Sequence, residues 1–383
     1  MNISSISRRR AGLSALALFS LSMIAGADTL RVAAWNVSVY GGGRTADIQR
    51  AVFDSFQGRS FNPDVIIAQE IWTSGVTPFL DALNNNPYNA GAHDWAAFYN
   101  PQHFGNSSSA TNDLVYYYRT SKLTAQGATP TLIDTGSTTT APRDTYRADF
   151  KINGDVNTSD TLALYGNHMK AGSASTDMTR RQITCNAIRN DANSLGSNYY
   201  TIFGGDMNMQ SSNEQGYQTL VGSAANNNGR FVDPINSAGT WYSNSNFRFI
   251  HTQAPSNPAT GGGMDDRFDQ LLMNQSLANQ SSNIHYVGDA SQAYSTSTWN
   301  DLNHSYRCWG NDGTSYNTGL TITGNTMVGA DIAQALVNTT GSDSGHLPVF
   351  MDLAYQGSPV PEPATMVALG LGALSLLRRR SRS

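Results

Sequence analysis

The chain has 383 residues, with 24 lysines and arginines against 28 aspartates and glutamates and a formal net charge of −4. Without the two end segments predicted below (1–27 and 364–383) it loses seven arginines and no acid, which leaves 17 basic and 28 acidic residues and a net charge of −11. This balance excludes a protein that holds nucleic acid by surface charge alone, so a phosphate group would need a bound divalent cation to receive it.

Residues 1–27 have the three parts of a secretory signal peptide. Arg8–Arg10 form the basic region, Ala11–Ile24 form the apolar run, and Ala25-Gly26-Ala27 is a cleavage site of small residues. The mature protein is therefore predicted to be exported and to begin near Asp28. No linker divides residues 28–356, so we expect one large domain there.

Apolar runs rich in β-branched and aromatic residues predict a β-rich core with a few helices. Residues 283–340 are too weakly patterned for an assignment. Elsewhere, strands are predicted over 30–37, 65–68, 95–99, 114–119, 146–152, 162–166, 199–203 and 267–273, with a last strand ending at 350, and helices over 48–56, 76–83 and 175–194.

Polar side chains stand at the ends of at least five of these apolar runs. They are Asn36, Glu70, His168, Asp206 with Asn208, and His346. Carboxylates and amides at strand ends suit a hard cation, a phosphate oxygen or an attacking water. Each cluster alone is equally typical of a turn, because Gly, Asp and Asn are the ordinary turn formers. Five together predict a site at one edge of the β core.

The motifs around these residues, in this order, resemble those of the endonuclease/exonuclease/phosphatase superfamily. That superfamily includes pancreatic-type deoxyribonucleases, abasic-site endonucleases, neutral sphingomyelinases and inositol polyphosphate 5-phosphatases. The resemblance implies a four-layer α/β sandwich, in which two mixed β-sheets pack face to face with helices outside. The matching stretches are Ala34-Trp35-Asn36, Ile67-Ala68-Gln69-Glu70, Gly166-Asn167-His168-Met169-Lys170, Gly204-Gly205-Asp206-Met207-Asn208, Arg267-Phe268-Asp269 and Gly345-His346-Leu347-Pro348-Val349.

The resemblance also implies a metal site. Glu70 would be the main ligand of Mg²⁺ or Mn²⁺, helped by Asn36, because oxygen ligands suit a hard cation that keeps several waters. The family usually has an aspartate directly before the final histidine, but Gly345 holds that place here and Asp343 lies three residues before His346. Either a bulge lets Asp343 reach the metal, or that carboxylate is missing.

The catalytic roles follow from the same resemblance. Asp206 would position or deprotonate the attacking water, and Asn208 would hold a non-bridging phosphate oxygen. His346 would be a general base or a charge stabiliser, oriented by Asp269 through a ring nitrogen. His168 would act at the phosphate or the leaving group.

Two basic residues are further candidates for phosphate contacts. They are Lys170, directly after the His168 motif, and Arg181, in the predicted helix 175–194. Solvated or helix-packing roles remain equally open for both. The two cysteines, Cys185 and Cys308, would meet an oxidising compartment after export, and the sequence leaves open whether they pair.

Residues 357–383 resemble a PEP-CTERM sorting tail of exported Gram-negative proteins. Pro361-Glu362-Pro363 precedes an apolar run, Ala364–Leu377, and then Arg378–Arg380. As a helix the run would be roughly 21 Å long, short of the roughly 30 Å hydrocarbon core. The resemblance implies transient membrane contact, processing by an exosortase-type enzyme, and a location in the cell envelope, at the outer surface or outside the cell.

These observations support three hypotheses of function. The first is an exported, divalent-metal-dependent phosphodiesterase, a nuclease acting on extracellular DNA. The second is a phosphomonoesterase or a sphingomyelinase-like lipid phosphodiesterase, with residues 283–340 supplying a recognition loop. The third is a catalytically degenerate surface or matrix binding protein, motivated by the glycine at position 345 and by the sorting tail.

Overall fold

The computed structural model describes residues 27–88, 93–103, 112–256, 262–341 and 344–357, and Ala27–Gly357 form one compact unit. The predictions for the signal peptide up to residue 26, for the sorting tail and for Asp343 lie outside the described residues. Within those ranges, no helix has the length and apolar character that a membrane crossing requires.

The described residues form sixteen strands, most of them in two seven-stranded sheets. The strands are β1 (Ala27–Tyr40), β2 (Ser55–Phe56), β3 (Arg59–Ser60), β4 (Val65–Trp72), β5 (Trp95–Phe98), β6 (Asn112–Arg119), β7 (Leu123–Ala125), β8 (Thr131–Asp134), β9 (Thr145–Ile152), β10 (Thr161–His168), β11 (Tyr199–Asp206), β12 (Phe231–Val232), β13 (Asp269–Asn274), β14 (Ile284–Tyr286), β15 (Arg307–Cys308) and β16 (Val349–Gln356).

Helices cover the outer faces of these sheets. They are α1 (Thr45–Phe53), α2 (Val76–Asn84), α3 (Ser175–Ser194), α4 (Gln215–Val221), α5 (Gln275–Ala278) and α6 (Gly329–Asn338), and short 3₁₀ turns occupy Thr73–Gly75 and Ser245–Phe247.

The first sheet has the order β14-β16-β1-β4-β6-β5, with β15 also paired to β16. At its centre, β1 runs parallel to β4 and antiparallel to β16. Residues 65–71 of β4 are all buried, as expected for a central strand covered on both faces. Phe79 of α2 packs on this sheet, with ring centroids 6.1 Å from Trp35 and 4.7 Å from Tyr117.

The second sheet has the order β12-β13-β11-β10-β9-β7, with β8 also paired to β9. Its centre repeats the arrangement of the first sheet, because β10 runs parallel to β11 and β13 is antiparallel to β11. Cys185 and Ile188 of α3 pack with Tyr165 and Phe203 in a separate cluster on the outer face. The predicted four-layer α/β sandwich is therefore confirmed.

Two glycines lie where the sheets face each other. Gly166 of β10 is in register with Gly204 of β11. A Cβ at Gly166 would lie 2.8 Å from the Ile67 side chain of β4, and a Cβ at Gly204 would lie 2.8 Å from it as well. The absence of side chains here allows the two sheets to approach closely.

Three features differ from the sequence-based expectations or were left open by them. Residues 283–340 do contain short strands and a helix, namely β14, β15 and α6, joined by irregular chain. The first helix ends at Phe53 rather than at residue 56, because residues 55–60 turn back as the β2–β3 hairpin. Cys185 and Cys308 are both buried free thiols and do not form a disulfide.

Candidate active site

The parallel strand pairs place the polar strand ends at one edge of the sandwich. In the first sheet, Asn36 is level with Gln69, the residue before Glu70. In the second sheet, Asp206 is level with both His168 and Asp269. Because the carboxyl ends of parallel strands meet at the same edge, each sheet contributes one wall of the site.

Glu70 and Asn36 form the wall on the first sheet. The backbone of Glu70 is left-handed, with φ at +61°, at an irregularity in the β4 register. Its Oε2 accepts a hydrogen bond from the Val39 amide at 2.8 Å, and its Oε1 lies 3.3 Å from Nδ1 of His168. The amide of Asn36 donates to Oδ2 of Asp206 at 3.1 Å, which links the two sheets directly.

Asp206, Asp269 and His346 form the opposite wall. Nδ1 of His346 lies 2.7 Å from Oδ2 of Asp269, in a contact between two buried side chains. Nε2 of His346 lies 3.7 Å from Oδ2 of Asp206, and Nε2 of His168 lies 3.4 Å from the same oxygen. Oδ2 of Asp206 therefore lies near both imidazoles.

Burial and mutual charge change the protonation of these groups. The pKa of Asp206 is raised to about 7, because burial and the negative charges of Asp269 and Glu70 outweigh the attraction of His346. Burial alone would lower the pKa of His346, but the carboxylates of Asp269, Asp206 and Glu70 raise it to about 10. His346 is thus an imidazolium at neutral pH.

His168 has the opposite character. Burial, together with the positive charges of Arg143 and His346, lowers its pKa well below the usual value. Its Nδ1 is buried and has no hydrogen-bond partner among the described residues. His168 is therefore neutral at physiological pH, and the two imidazoles beside Asp206 differ in charge.

Asn208 lies at the same edge, in a tight turn after β11. Its backbone is left-handed, with φ at +51°, and its amide N–H donates to Oδ1 of Asp206 at 3.0 Å. Its side-chain nitrogen donates to the Met169 carbonyl at 3.2 Å. Gly205, the residue before Asp206 in β11, has φ at +150° and lies against the Asn167 backbone.

The two predicted phosphate contacts lie elsewhere. Arg181 is fully buried, where it bonds to Glu214 at 2.7 Å and to the carbonyls of Lys170 and Gly172. Lys170 pairs with Asp177 at 3.1 Å. Of the two roles that the sequence left open for Arg181, the structure favours packing, because its guanidinium bonds to Glu214 and to the chain that follows β10. Lys170 is turned to the start of α3.

Three residues at the site were missed by sequence reasoning. Nη2 of Arg143 lies 3.9 Å from Oε1 of Glu70. Nε2 of Gln253 lies 3.5 Å from Nε2 of His346, and Asp266 interacts electrostatically with His346 and Asp206. Arg143 precedes β9 in a loop without a strand pattern. Asp266 lies only three residues before the predicted site residue Asp269, and this proximity was the one feature of the sequence that could have identified it.

The oxygen donors at this edge suit a cation that keeps much of its own water. The described residues include no group of three or more His, Cys, Asp or Glu arranged to hold a metal ion. Glu70 would offer one carboxylate and Asn36 one amide oxygen, which accepts a hydrogen bond from the Ser38 amide. One carboxylate and one amide with several waters is a donor set that fits Mg²⁺ or Mn²⁺ and not a fully protein-coordinated ion.

Comparison with known proteins supports two of the sequence-based interpretations. Residues 359–382 match the PEP-CTERM protein-sorting motif, which confirms the predicted tail and indicates an exported protein. Among curated protein sequences, no match was found.

Among solved structures, the fold is similar to that of an endonuclease/exonuclease/phosphatase from Bacteroides vulgatus, with a TM-score of 0.50 and 10% identity over 85% of this chain and 98% of that one. A family protein from Bacteroides thetaiotaomicron gives 0.48 and 13% over 86% and 99%. A mannosyl-6-phosphatase from the same organism gives 0.47 and 14% over 85% and 99%. The first of these likenesses shows the shared fold.

Proposed function

We propose that this chain is an exported, divalent-metal-dependent phosphoric ester hydrolase, and specifically a phosphodiesterase that cuts extracellular DNA as an endonuclease. The observation that carries the proposal is that His168 and His346 lie 3.4 and 3.7 Å from the same oxygen of Asp206. Each imidazole also contacts a second carboxylate: His168 lies 3.3 Å from Glu70 of the other sheet, and His346 lies 2.7 Å from Asp269. A structural role alone does not require three acids and two imidazoles to be buried together, because buried charges cost free energy unless they are used or paired.

Glu70 and Asn36 would hold Mg²⁺ or Mn²⁺ at the first wall. When bound, the ion would polarise the phosphate and stabilise the leaving oxygen. Arg143, 3.9 Å from Glu70, would bind a second phosphate oxygen from the same side. The ion and Arg143 would together offset the negative charge of the acids that line the cleft.

The opposite wall would supply the proton chemistry. Asp206, between the two imidazoles, would orient the attacking water and take its proton. His346 would act as a charged hydrogen-bond donor to a phosphate oxygen and not as the general base, because the neighbouring carboxylates keep it protonated at neutral pH. Asn208 and neutral His168 would complete the contacts to the phosphate and the leaving group.

The sorting tail gives the proposal a place in the cell. The motif at 359–382 would be recognised by an exosortase-type enzyme after transient membrane contact. The hydrolase would then act in the envelope, at the outer surface or outside the cell. Polymeric DNA and other phosphodiesters that do not enter the cell are the substrates available there.

Plasmid cleavage with Mg²⁺ or Mn²⁺ tests the proposal, using the mature chain, Glu70→Ala, His346→Ala and the control Asp331→Asn, an exposed acid on α6. We expect the control to match the wild type and each site variant to lose at least about 100-fold in rate. Equal cutting by all four proteins refutes the assignment.

Release of inorganic phosphate without oligonucleotides selects a phosphomonoesterase instead, and hydrolysis of sphingomyelin selects a lipid phosphodiesterase. The absence of Mg²⁺ and Mn²⁺ binding in calorimetry selects a degenerate binding protein.

A further inference from the structure

A row of three side chains crosses the edge of the site beside His346. Gln253 forms antiparallel bridges with both Asp266 and His346. The Thr252 amide donates to the Asp266 carbonyl at 2.7 Å, and the Leu347 amide donates to the Thr252 carbonyl at 2.9 Å. Residues directly opposite each other on paired segments project to the same face, with Cβ atoms about 5 Å apart. Gln253 therefore lies between Asp266 and His346.

Asp266 is a buried acid that interacts with two residues of the site. Its side chain is 5% exposed, and its Oδ1 is completely buried without a hydrogen-bond partner among the described residues. A buried carboxylate oxygen without a partner costs free energy, and such atoms in native proteins call for a specific explanation. Beyond its neighbour Asp265, the groups with which Asp266 interacts electrostatically are His346 and Asp206.

The acid cannot instead stand directly before His346. Gly345 has φ at +78°, and a Cβ there would lie 2.0 Å from the Thr340 side chain. A side chain at the position where the resemblance expects a carboxylate would therefore require a strained backbone and a displaced Thr340. The neighbouring segment, paired through Gln253, carries an acid instead.

We propose that Gln253 and Asp266 extend the Asp269–His346 pair into a four-residue row that positions the His346 ring for contact with a phosphate oxygen. This inference deepens the proposed function and rests on it. Asp269 fixes Nδ1 of the ring, and Gln253 with Asp266 fixes the ring from the Nε2 side. Asp266 and Gln253 are positioning residues, because they act on the phosphate through His346.

The contact between Gln253 and His346 shows how the row works. A protonated His346 donates from both nitrogens, so a Gln253 amide nitrogen 3.5 Å from Nε2 opposes donor to donor. A half-turn of the amide gives Nε2–H an oxygen acceptor and frees the amide nitrogen to donate to Asp266. When a phosphate oxygen takes the hydrogen bond of the Nε2 proton, the amide keeps its bond to Asp266, and Asp269 still holds Nδ1. The row holds the ring in one orientation in both states.

The charged groups around His346 determine whether removing Asp266 raises or lowers the pKa of His346. His346 faces the carboxylates of Asp269, Asp206, Glu70 and Asp266, while neutral His168 and the cation Arg143 lie beyond Glu70. Removing the Asp266 charge takes one negative neighbour from His346 and therefore favours the neutral imidazole.

The test is a pH titration of the His346 ring by ¹H–¹⁵N NMR in the metal-free, full mature chain, assigned with His346→Gln. We compare the wild type, Asp266→Asn, Asp266→Glu and the control Asp265→Asn. Asp265 is equally buried and adjacent, but its pKa is raised by burial without a contribution from His346. We expect Asp266→Asn to lower the pKa of His346 by about one unit or more, Asp266→Glu to restore it, and Asp265→Asn to leave it unchanged.

Kinetics give the second readout. In Asp266→Asn and in Gln253→Leu we expect kcat to fall by about tenfold and the loss of activity at alkaline pH to begin at lower pH, with Asp265→Asn as wild type. If His346 titrates identically in the wild type and Asp266→Asn, the row is refuted. Should Asp266→Asn not fold, a wild-type kcat in Gln253→Leu refutes the row as well. An inactive wild type refutes the phosphoesterase proposal, while the NMR titration still decides the row.

Discussion

The charge on His346 should make the stability of the protein depend on pH above neutrality. Its pKa is about 10 in the folded chain against an ordinary value of 6.5, a difference of about 3.5 units, and each unit corresponds to about 1.4 kcal/mol. Summed, the imidazolium contributes about 5 kcal/mol to the free energy of unfolding. Because the folded-state pKa is the higher one, this contribution is complete below pH 6.5 and disappears as the pH rises through 10.

Guanidinium unfolding at several pH values between 7 and 10 checks the effect in metal-free protein. In the wild type we expect His346 to lower the free energy of unfolding by about 1.4 kcal/mol per pH unit, and we expect this slope to be absent from His346→Gln. Asp206 and Asp266 have pKa values of about 7, so their own contributions change between pH 3.8 and 7, below this window. His285→Gln, in β14, is the control. Equal slopes in the wild type and His346→Gln would refute the assignment of an imidazolium.

Two further predictions concern residues outside the reacting groups. Gly345→Ala should destabilise the protein by about 1–3 kcal/mol more than Gly43→Ala in thermal unfolding. Both glycines have φ near +78°, but a Cβ at Gly345 would lie 2.0 Å from a threonine side chain, whereas a Cβ at Gly43 would meet open space. Equal losses would show that the contact relaxes at little cost. Arg181→Met should cost about 3–5 kcal/mol in guanidinium unfolding, because it leaves Glu214 buried and unpaired, and adding Glu214→Gln should recover part of the loss. A loss below 1 kcal/mol in Arg181→Met would show that the pair is not structural.

The sequence located the polar residues of the site well because their pattern is local, although β1 continues past Asn36 to Tyr40 and β4 continues past Glu70 to Trp72. Asn36, Glu70 and Asp206 each close an apolar run, and the meeting of parallel strands then brings them together. The same pattern identified His168 and His346. Strand periodicity and turn residues were sufficient for this part of the fold.

The remaining parts depend on contacts that no local pattern encodes. Gln253 and Asp266 meet His346 through single bridges between irregular segments. Arg181 was a candidate for phosphate binding, but its guanidinium donates hydrogen bonds to the carbonyls of the loop after β10. In residues 283–340, strands of two or three residues are too short to show a period.

The opposing glycines of β10 and β11 have an effect that reaches the cleft. Glu70 belongs to one sheet and Asp206 to the other. The distance between them therefore depends on the spacing of the two sheets where Gly166 and Gly204 pack against Ile67. A single methyl group at either glycine would act as a wedge and part the two walls. Two glycines that do not contact the substrate thus limit the width of the cleft. A related chain could accept a larger phosphate ester by having larger residues at these two positions.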